Sequence, residues 1–196
     1  MIVPIKCERL LREQRTQLVE LSEYETELEK TYNGFKDYLP KDAKNILDIG
    51  CGMSWIDVFL SKHYDHKIKI HLADKHGVSP KILSGFATHK DEFSHYHNFD
   101  YAIELLTIND VPKENIIQHN LLLKDLPTDE FDIVISLLSW GFHYPISNYR
   151  PNLSKNGIII VDVRYHTTGM KELQKFGTCL PIYESRKYAR MLCRPN

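Results

Sequence analysis

The amino-acid sequence predicts an α/β domain in which a mostly parallel β-sheet is covered by helices on both faces. After Pro40, short apolar runs alternate with segments of helical character, which is the pattern of repeated strand-helix units. The chain has 196 residues, the size of one ordinary domain, and 42% of them are hydrophobic, enough to build a substantial core. We therefore expect one self-sufficient folded unit.

Each predicted element follows from local periodicity and from the residues that bound it. The predicted strands cover residues 45–49, 67–73, 115–119, 132–137 and 157–163. The predicted helices lie at residues 54–64, 99–108, 144–152 and 169–176. Residues 179–194 contain two further apolar runs around a turn near residues 185–187, which predicts a β-hairpin closing one edge of the sheet.

A long charged segment precedes this domain. Residues 8–39 are helical by composition, and the pair Asn33-Gly34 is expected to divide the helix in two. We assign residues 1–40 to an N-terminal helical extension and residues 41–196 to the main domain. The extension carries one apolar stripe, formed by Leu18, Leu21, Leu28, Tyr32, Phe35 and Leu39. This stripe either packs on the domain's own core or serves as a lid or a homodimer contact.

Composition and charge narrow the classes of function. With 25 basic and 26 acidic residues, the formal net charge of −1 lacks the basic excess expected of a protein that grips nucleic acid or anionic lipid. The apolar runs fall short of the roughly 20 residues a membrane helix needs, and no signal peptide is apparent, so we expect a cytoplasmic protein. The four cysteines are scattered, which predicts reduced, packed thiols.

The most informative stretch is NILDIGCGMSW, residues 45–55, in which an apolar strand ends in two closely spaced glycines before a helix. Glycines at such a turn let a ligand approach the backbone closely. A dinucleotide fingerprint would place a third glycine where Trp55 stands, which argues against a nicotinamide cofactor. Asp74 ends the next strand, roughly the twenty residues after Gly50 at which α/β cofactor sites place a ribose-binding acid.

These residues resemble the first two motifs of class I S-adenosylmethionine-dependent methyltransferases. The first motif, an acidic residue followed by alternating glycines, is D-I-G-C-G-M-S here, with Ser54 in place of the last glycine and suited to cap the following helix. The resemblance implies a Rossmann-like, seven-stranded sheet whose last strand is antiparallel. It also implies that S-adenosylmethionine binds along the carboxyl ends of the first two strands.

The resemblance assigns roles to four residues of these motifs. Asp48 is expected under the methionine amino group, directly or through water, while Gly50 and Gly52 let the cofactor lie against the backbone. Asp74 is expected to accept hydrogen bonds from both ribose hydroxyls, a bidentate arrangement that suits a carboxylate. The alternative for Asp74 is a turn or helix-cap aspartate.

Four more residues complete the predicted cofactor contacts. Asn120 ends the third strand and is expected to accept a hydrogen bond from the adenine amino group, although asparagine is also common at strand ends. Leu121 would offer its backbone amide or an apolar wall. Cys51 lies between the two glycines, and Ser136 lies near the end of the fourth strand.

The segment after the fourth strand, residues 136–145, is where related enzymes place the groups nearest the transferred methyl. It lacks the Pro-Pro-aromatic signature of amino-methylating enzymes, and Asp132 lies at the wrong end of the strand to hold magnesium, so we expect no metal. His143 is a candidate general base for a hydroxyl acceptor, with Tyr144 beside it, or it is simply packed at a helix start. Trp140 either shapes the acceptor pocket or fills the core.

The fifth strand ends in a second group of candidates at the same edge. Arg164 is suited to bind an anionic acceptor through its planar fork, or else it forms an ion pair with Asp162 or Glu184. His166 is a rival to His143 as the base.

An irregular stretch, residues 75–98, forms an insertion between the second strand and the next helix. Phe86 and Tyr96 are expected to cover the acceptor and exclude water. His89, Asp91, His95 and His97 are chemically suitable metal ligands, but a solvent-facing loop rich in His, Tyr and Ser explains the same residues without a metal, and we favour that interpretation.

Taken together, the sequence predicts an S-adenosylmethionine-dependent methyltransferase that acts on a small-molecule acceptor without a metal. The expected acceptor atom is a hydroxyl oxygen, on a sugar or another metabolite. One alternative is N-methylation of a small molecule or of RNA. Another is a non-catalytic subunit that binds the cofactor and holds a partner through the N-terminal helix.

Overall fold

A computed structural model describes residues 21–75, 99–123, 127–142 and 145–195. Seven strands form a single sheet in the order β3-β2-β1-β4-β5-β7-β6. They are β1 (Asn45–Ile49), β2 (Lys69–Asp74), β3 (Ile116–Asn120), β4 (Glu130–Ser136), β5 (Asn152–Arg164), β6 (Thr178–Glu184) and β7 (Tyr188–Arg194). Strands β1 to β5 pair in parallel, and β7 runs antiparallel to both β5 and β6. The predicted sheet is confirmed.

Helices cover both faces of this sheet. They are α1 (Leu21–Asn33), α2 (Trp55–His63), α3 (Phe99–Ile108) and the short α4 (Gly169–Leu173). Helices α1, α2 and α3 share one apolar cluster with one face of the sheet, and α4 joins the cluster on the other face. In this part of the chain, none of the helices is both long and apolar enough to cross a bilayer.

The central strands supply both clusters because their side chains alternate between the two faces. In β4, Ile133 and Ile135 join the cluster beneath α1 to α3, whereas Val134 joins the cluster on the opposite face. A strand covered on both sides needs apolar residues at every position, which explains its continuous apolar run.

The described part of the N-terminal stripe packs on the domain's own core. Phe35 and Leu39 are buried there, and Leu28 and Tyr32 pack against the same cluster. Helix α1 ends at Asn33, where the sequence predicted a break. Residues 1–20 lie outside the described residues, so a further role as lid or dimer contact stays a prediction.

The helix predicted at residues 144–152 is wrong. A single 3₁₀ turn, Ile146–Asn148, occupies part of this segment, and β5 begins at Asn152. Pro145 and Pro151 bracket the segment. Because proline disfavours helical backbone at the residue before it, too few positions remain between them for an α-helix.

The prediction that all thiols are reduced is also wrong. Cys179 on β6 and Cys193 on β7 face each other in the antiparallel register, with their Cα atoms 4.1 Å apart, and form a disulfide. Residues opposed across antiparallel strands bring their Cβ atoms close enough for such a bond. Cys51, in contrast, is a buried free thiol.

We predict that two of the four cysteines react with a thiol reagent in the denatured, unreduced protein, and all four after reduction. The bond spans 14 residues, so reducing it should lower the free energy of unfolding by about 3 kcal/mol. Denaturant titration with and without reductant measures this. A Cys179→Ser variant is the control, because reductant should leave its stability unchanged. Four reactive thiols without reductant would contradict the disulfide.

Candidate cofactor site

Three neighbouring parallel strands bring the predicted cofactor residues to one edge of the sheet. Ile49 at the end of β1 pairs with Ala73 of β2, and Asp74 at the end of β2 pairs with Asn120 at the end of β3. Asp48 lies one residue before the end of β1. In open α/β sheets, ligands bind outside the carboxyl ends of the strands, which is where these residues converge.

The turn after β1 depends on two glycines in left-handed conformations, for different reasons. Gly50 has φ +74° and donates its N–H to the Ala73 carbonyl at 2.6 Å, and a side chain here would overlap Ser139. Gly52 has φ +51°, and no described atom lies within 4 Å of where its Cβ would be. Gly50 therefore allows close packing against the segment after β4, whereas Gly52 borders an open space at the carboxyl edge of the sheet.

Asp74 lies beside this open space, and backbone hydrogen bonds orient its carboxylate. One carboxylate oxygen accepts the Gly52 N–H at 3.1 Å and the other accepts the Lys75 N–H at 2.7 Å. The side chain is only 8% exposed, so these bonds act in a partly dry environment and define its direction.

Three carboxyl groups, those of Asp48, Asp57 and Asp74, lie near one another behind the glycine turn. Asp48 is buried, and its pKa lies well above the usual range because of burial, contact with Asp57 and the nearby charge of Asp74. Burial is the largest cause of the raised pKa of the Cys51 thiol, and the nearby charges of Asp74, Asp48 and Asp57 raise it further. Cys51 is therefore a neutral packed thiol rather than a nucleophile.

The predicted adenine contacts lie beside Asp74. Asn120 is half-buried at the carboxyl end of β3. Leu121 follows it, and its side chain packs partly against the cluster that contains α4. The Leu121 side chain therefore already has a structural role at this edge.

Ser136 connects the segment after β4 to β1. Its hydroxyl donates to the Ile49 carbonyl at 2.6 Å and accepts the Trp140 N–H at 2.8 Å. Ser136 is fully buried, so its hydrogen bonds stabilise the turn after β1 from inside the protein.

Trp140 fills the core, which is the second interpretation left open from the sequence. It is 1% exposed and packs edge-on against Phe176, with ring centroids 5.7 Å apart. The aromatic ring therefore stabilises the segment after β4 and has no surface to offer an acceptor.

Ser54 does not cap helix α2 as the sequence suggested. It occupies the N-cap position with φ +58°, and its side chain makes no capping hydrogen bond. This left-handed backbone is the conformation that glycine adopts freely, which explains why the resembling motif has glycine there.

Asp162, which the sequence offered as one alternative ion-pair partner of Arg164, does not pair with that residue. Asp162 instead forms a buried bidentate pair with Arg190, at 2.8 and 3.0 Å. Arg164 lies at the exposed end of β5 with its guanidinium carbon 4.1 Å from the centroid of the Phe142 ring. His166 follows on an exposed turn with φ +61°.

Several candidates lie outside the described residues and stay predictions. They are the acceptor-side residues His143, Tyr144, Phe86 and Tyr96, and the loop residues His89, Asp91, His95 and His97. Within the four described ranges, no group of three or more His, Cys, Asp or Glu side chains is arranged to hold a metal ion.

Sequence analysis missed two residues of the site. Asp57 is a fully buried carboxyl group on the first turn of α2, and Ser139 packs against Gly50. Asp57 had a visible signal, because it is a charged residue within the apolar run WIDVFL. Ser139 had no such signal in the sequence, because its contact with Gly50 depends on how the segment after β4 folds back.

Comparisons with known proteins identify the fold. No family model and no curated protein matches the sequence. A ribosomal protein L11 methylase from Lactobacillus delbrueckii subsp. bulgaricus superposes with a TM-score of 0.54 at 17% identity, over 87% of this chain and 79% of its own.

Two further solved structures cover more of the chain. A precorrin-6y C5,15-methyltransferase from Geobacter metallireducens GS-15 has a TM-score of 0.52 at 15% identity, over 93% of both chains. A putative O-methyltransferase from Klebsiella pneumoniae has a TM-score of 0.52 at 13% identity, over 98% of this chain and 91% of its own. The chain therefore has the class I methyltransferase fold, which the resemblance predicted.

We predict that Gly50→Ala destabilises the protein by more than the roughly 1 to 2 kcal/mol of left-handed strain that Gly52→Ala should cost. Only at Gly50 does the added methyl also overlap Ser139. Denaturant titration measures both changes. In a Ser139→Gly background, Gly50→Ala should cost no more than Gly52→Ala. Equal costs for the two single variants in the wild-type background would contradict this packing.

Proposed function

We propose that the protein is an S-adenosylmethionine-dependent methyltransferase of small molecules. The observation that carries the proposal is the convergence of Asp48, the open turn at Gly52, Asp74 and Asn120 on one carboxyl edge of the sheet. These groups match the cofactor in chemistry. The Asp48 carboxyl group can contact the ammonium group, the backbone at Gly52 leaves room for the methionine chain, and the Asp74 carboxylate can accept hydrogen bonds from the ribose.

The cofactor would supply a methyl group on a positively charged sulfur. The protein would then contribute mainly alignment and exclusion of water, together with removal of a proton from the acceptor. Asp74 supports this assignment because its two backbone hydrogen bonds hold both carboxylate oxygens in place before any ligand arrives. Ser136 supports it by joining β1 to the segment that leads to the predicted acceptor side.

On the acceptor side, we propose a hydroxyl oxygen on a small molecule, with methyl transfer that uses no metal. Arg164 lies exposed at the end of β5 with its guanidinium carbon over the Phe142 ring, and its planar set of donors suits an anionic group on the acceptor. His166, which is exposed two residues after Arg164, and His143 are the proposed bases. N-methylation of a small molecule or RNA, and cofactor binding without catalysis, are the alternatives.

Calorimetric titration with S-adenosylmethionine and S-adenosylhomocysteine tests the cofactor site. We expect both to bind the wild type and Asp74→Ala to weaken binding about 10- to 100-fold, because hydrogen bonds to a charged group contribute roughly 1.5 to 3 kcal/mol. Asp42→Ala, which removes an exposed carboxylate elsewhere, is the matched control, and NAD is the control ligand. Wild-type protein that binds neither compound would contradict the proposal.

The base is tested by the pH dependence of methyl transfer once an acceptor has been found. For a hydroxyl acceptor, replacing the true base by alanine should lower the rate about 100-fold or more and remove the acidic limb of the pH profile. His143→Ala and His166→Ala are compared side by side, each serving as control for the other. If neither variant changes the acidic limb, both assignments are wrong and an amine acceptor is favoured.

A further inference from the structure

Three aromatic side chains, which we call the aromatic row, lie side by side near the carboxyl end of β5. Phe142, in the segment after β4, packs edge-on against Tyr188 of β7, with ring centroids 5.9 Å apart and an interplanar angle of 80°. Tyr188 packs in turn against Tyr183 of β6, with centroids 6.0 Å apart and an interplanar angle of 44°. Phe142 and Tyr188 are half-buried and Tyr183 is 50% exposed, so the row has a surface that a ligand can reach.

A guanidinium group lies over each end of the aromatic row. The guanidinium carbon of Arg164 is 4.1 Å from the ring centroid of Phe142, and that of Arg190 is 5.6 Å from the ring centroid of Tyr183. Arg190 is buried, and its bidentate pair with Asp162 balances its charge. Arg164 is exposed, and within the described ranges no carboxylate forms an ion pair with it. Of the two guanidinium groups, only that of Arg164 therefore keeps an unbalanced positive charge.

Arg164 lies on the same face of the sheet as Asp48 of the cofactor site. Side chains alternate between the two faces along a strand. Ile160 of β5 belongs to the apolar cluster beneath α1 to α3, so Arg164, an even number of residues later, lies on that face. Ile46 of β1 belongs to the same cluster, which places Asp48 on that face as well. The positive end of the aromatic row and the predicted cofactor site therefore share one face at the carboxyl ends of the strands.

A short backbone connection links the aromatic row to the glycine turn. The Phe142 N–H donates to the Ser139 carbonyl at 2.9 Å. Ser139 packs so closely against Gly50 that a side chain at Gly50 would overlap it. The row therefore begins one turn of backbone away from the residue that shapes the cofactor site.

We propose that the aromatic row and Arg164 bind the acceptor, and that the acceptor is a small aromatic carboxylate that carries a hydroxyl group. The Arg164 guanidinium would donate hydrogen bonds to the carboxylate, while the acceptor ring packs against the aromatic row. This inference rests on the proposed function and deepens it. It names a substrate class and adds Phe142, Tyr183 and Tyr188 as binding residues.

The stack on Phe142 prepares Arg164 to bind a carboxylate. The stack uses a face of the guanidinium group, whereas its N–H donors lie in the guanidinium plane. A carboxylate can therefore accept two of these donors while the stack persists. The stack also restricts a long side chain before any ligand arrives, which reduces the conformational entropy lost on binding.

The shape and extent of the aromatic row favour a small aromatic molecule. Aromatic rings attract one another in edge-on and offset arrangements, so rings inclined at 80° and 44° suit another ring better than an alkyl chain. Three rings and one charge offer a contact far smaller than the roughly 800 Å² that each partner contributes to a stable protein interface. A second copy of this chain is therefore the weaker candidate for this surface.

The test measures the affinities of three probes by calorimetric titration, with and without S-adenosylhomocysteine. The probes are para-hydroxybenzoate, para-hydroxybenzamide, which lacks the charge, and hydroxycyclohexanecarboxylate, which lacks the aromatic ring. For wild type, we expect the benzoate to bind about tenfold more tightly than the amide, because hydrogen bonds between charged groups are the stronger ones. We expect it to bind about fivefold more tightly than the saturated acid, because aromatic pairs contribute beyond their buried area.

Two variants with matched controls assign these preferences to residues. Arg164→Gln should reduce the preference for benzoate over amide below about threefold. Arg150→Gln should leave it at about tenfold, because Arg150 is another exposed arginine over an aromatic ring, Phe176, at the opposite end of β5. Tyr183→Leu should reduce the preference for the aromatic over the saturated acid below about twofold. Tyr38→Leu, which changes a tyrosine of similar exposure elsewhere, should not.

The outcomes separate this inference from the proposed function. If S-adenosylhomocysteine binds but the three probes do not, or if Arg164→Gln leaves the preference for benzoate unchanged, the inference is overturned and the proposed function stands. If benzoate binds through Arg164 but neither S-adenosylmethionine nor S-adenosylhomocysteine binds, the proposed function and the acceptor role both fail. Sedimentation velocity covers the other occupant: a wild-type dimer that Tyr183→Leu dissociates would make the row a contact between copies of this chain and overturn the inference.

Discussion

The parallel register of β1 with β2 and β4 is the constraint on which the site depends. Parallel strands with matched ends bring residues that are far apart in sequence to a common edge, and here that edge collects Asp48, Asp74 and Asn120. The same pairing places Ser136 of β4 beside the end of β1. A shift of one residue in either pairing would turn these side chains to the opposite face of the sheet.

The register also brings three carboxyl groups together behind one turn. Asp48, Asp57 and Asp74 are mostly or wholly buried, and their mutual repulsion must be offset by hydrogen bonds, protons or a bound cation. Asp74 is compensated by the backbone N–H groups of Gly52 and Lys75. Burial raises the pKa values of both Asp48 and Asp57, and neither carboxyl oxygen of Asp57 has a hydrogen-bond partner within 3.5 Å among the described residues.

The segment after β4 supports this edge from the other side of β1. Its attachment combines the Ser136 hydrogen bonds, the buried Trp140 ring and the contact of Ser139 with Gly50. The buried pair of Asp162 and Arg190 holds β5 and β7 together nearby. The predicted acceptor side is therefore attached to a well-packed part of the sheet, and firm packing is what the alignment of two reactants requires.

Much of the fold and the cofactor side of the site could be predicted from the sequence, because both are encoded locally. Apolar periodicity located the strands, with β1 and α3 matching their predicted bounds and most other elements shifted by one or two residues. The glycine turn and Asp74 were recognisable because residue type and spacing carry their chemistry. The segment around Pro151 was misjudged because local helical character there is overridden by the prolines and by pairing with β4.

The sequence by itself determined the α/β class, the glycine turn after β1 and the candidate ligands of the cofactor. Only the tertiary structure decided that Cys179 meets Cys193, that Asp162 pairs with Arg190 rather than Arg164, and that Trp140 is buried. It also buried the Asp57 side chain completely. The physical reason is that periodicity and turn chemistry act over a few neighbouring residues, whereas each of these contacts depends on strand register, hairpin geometry or helix docking.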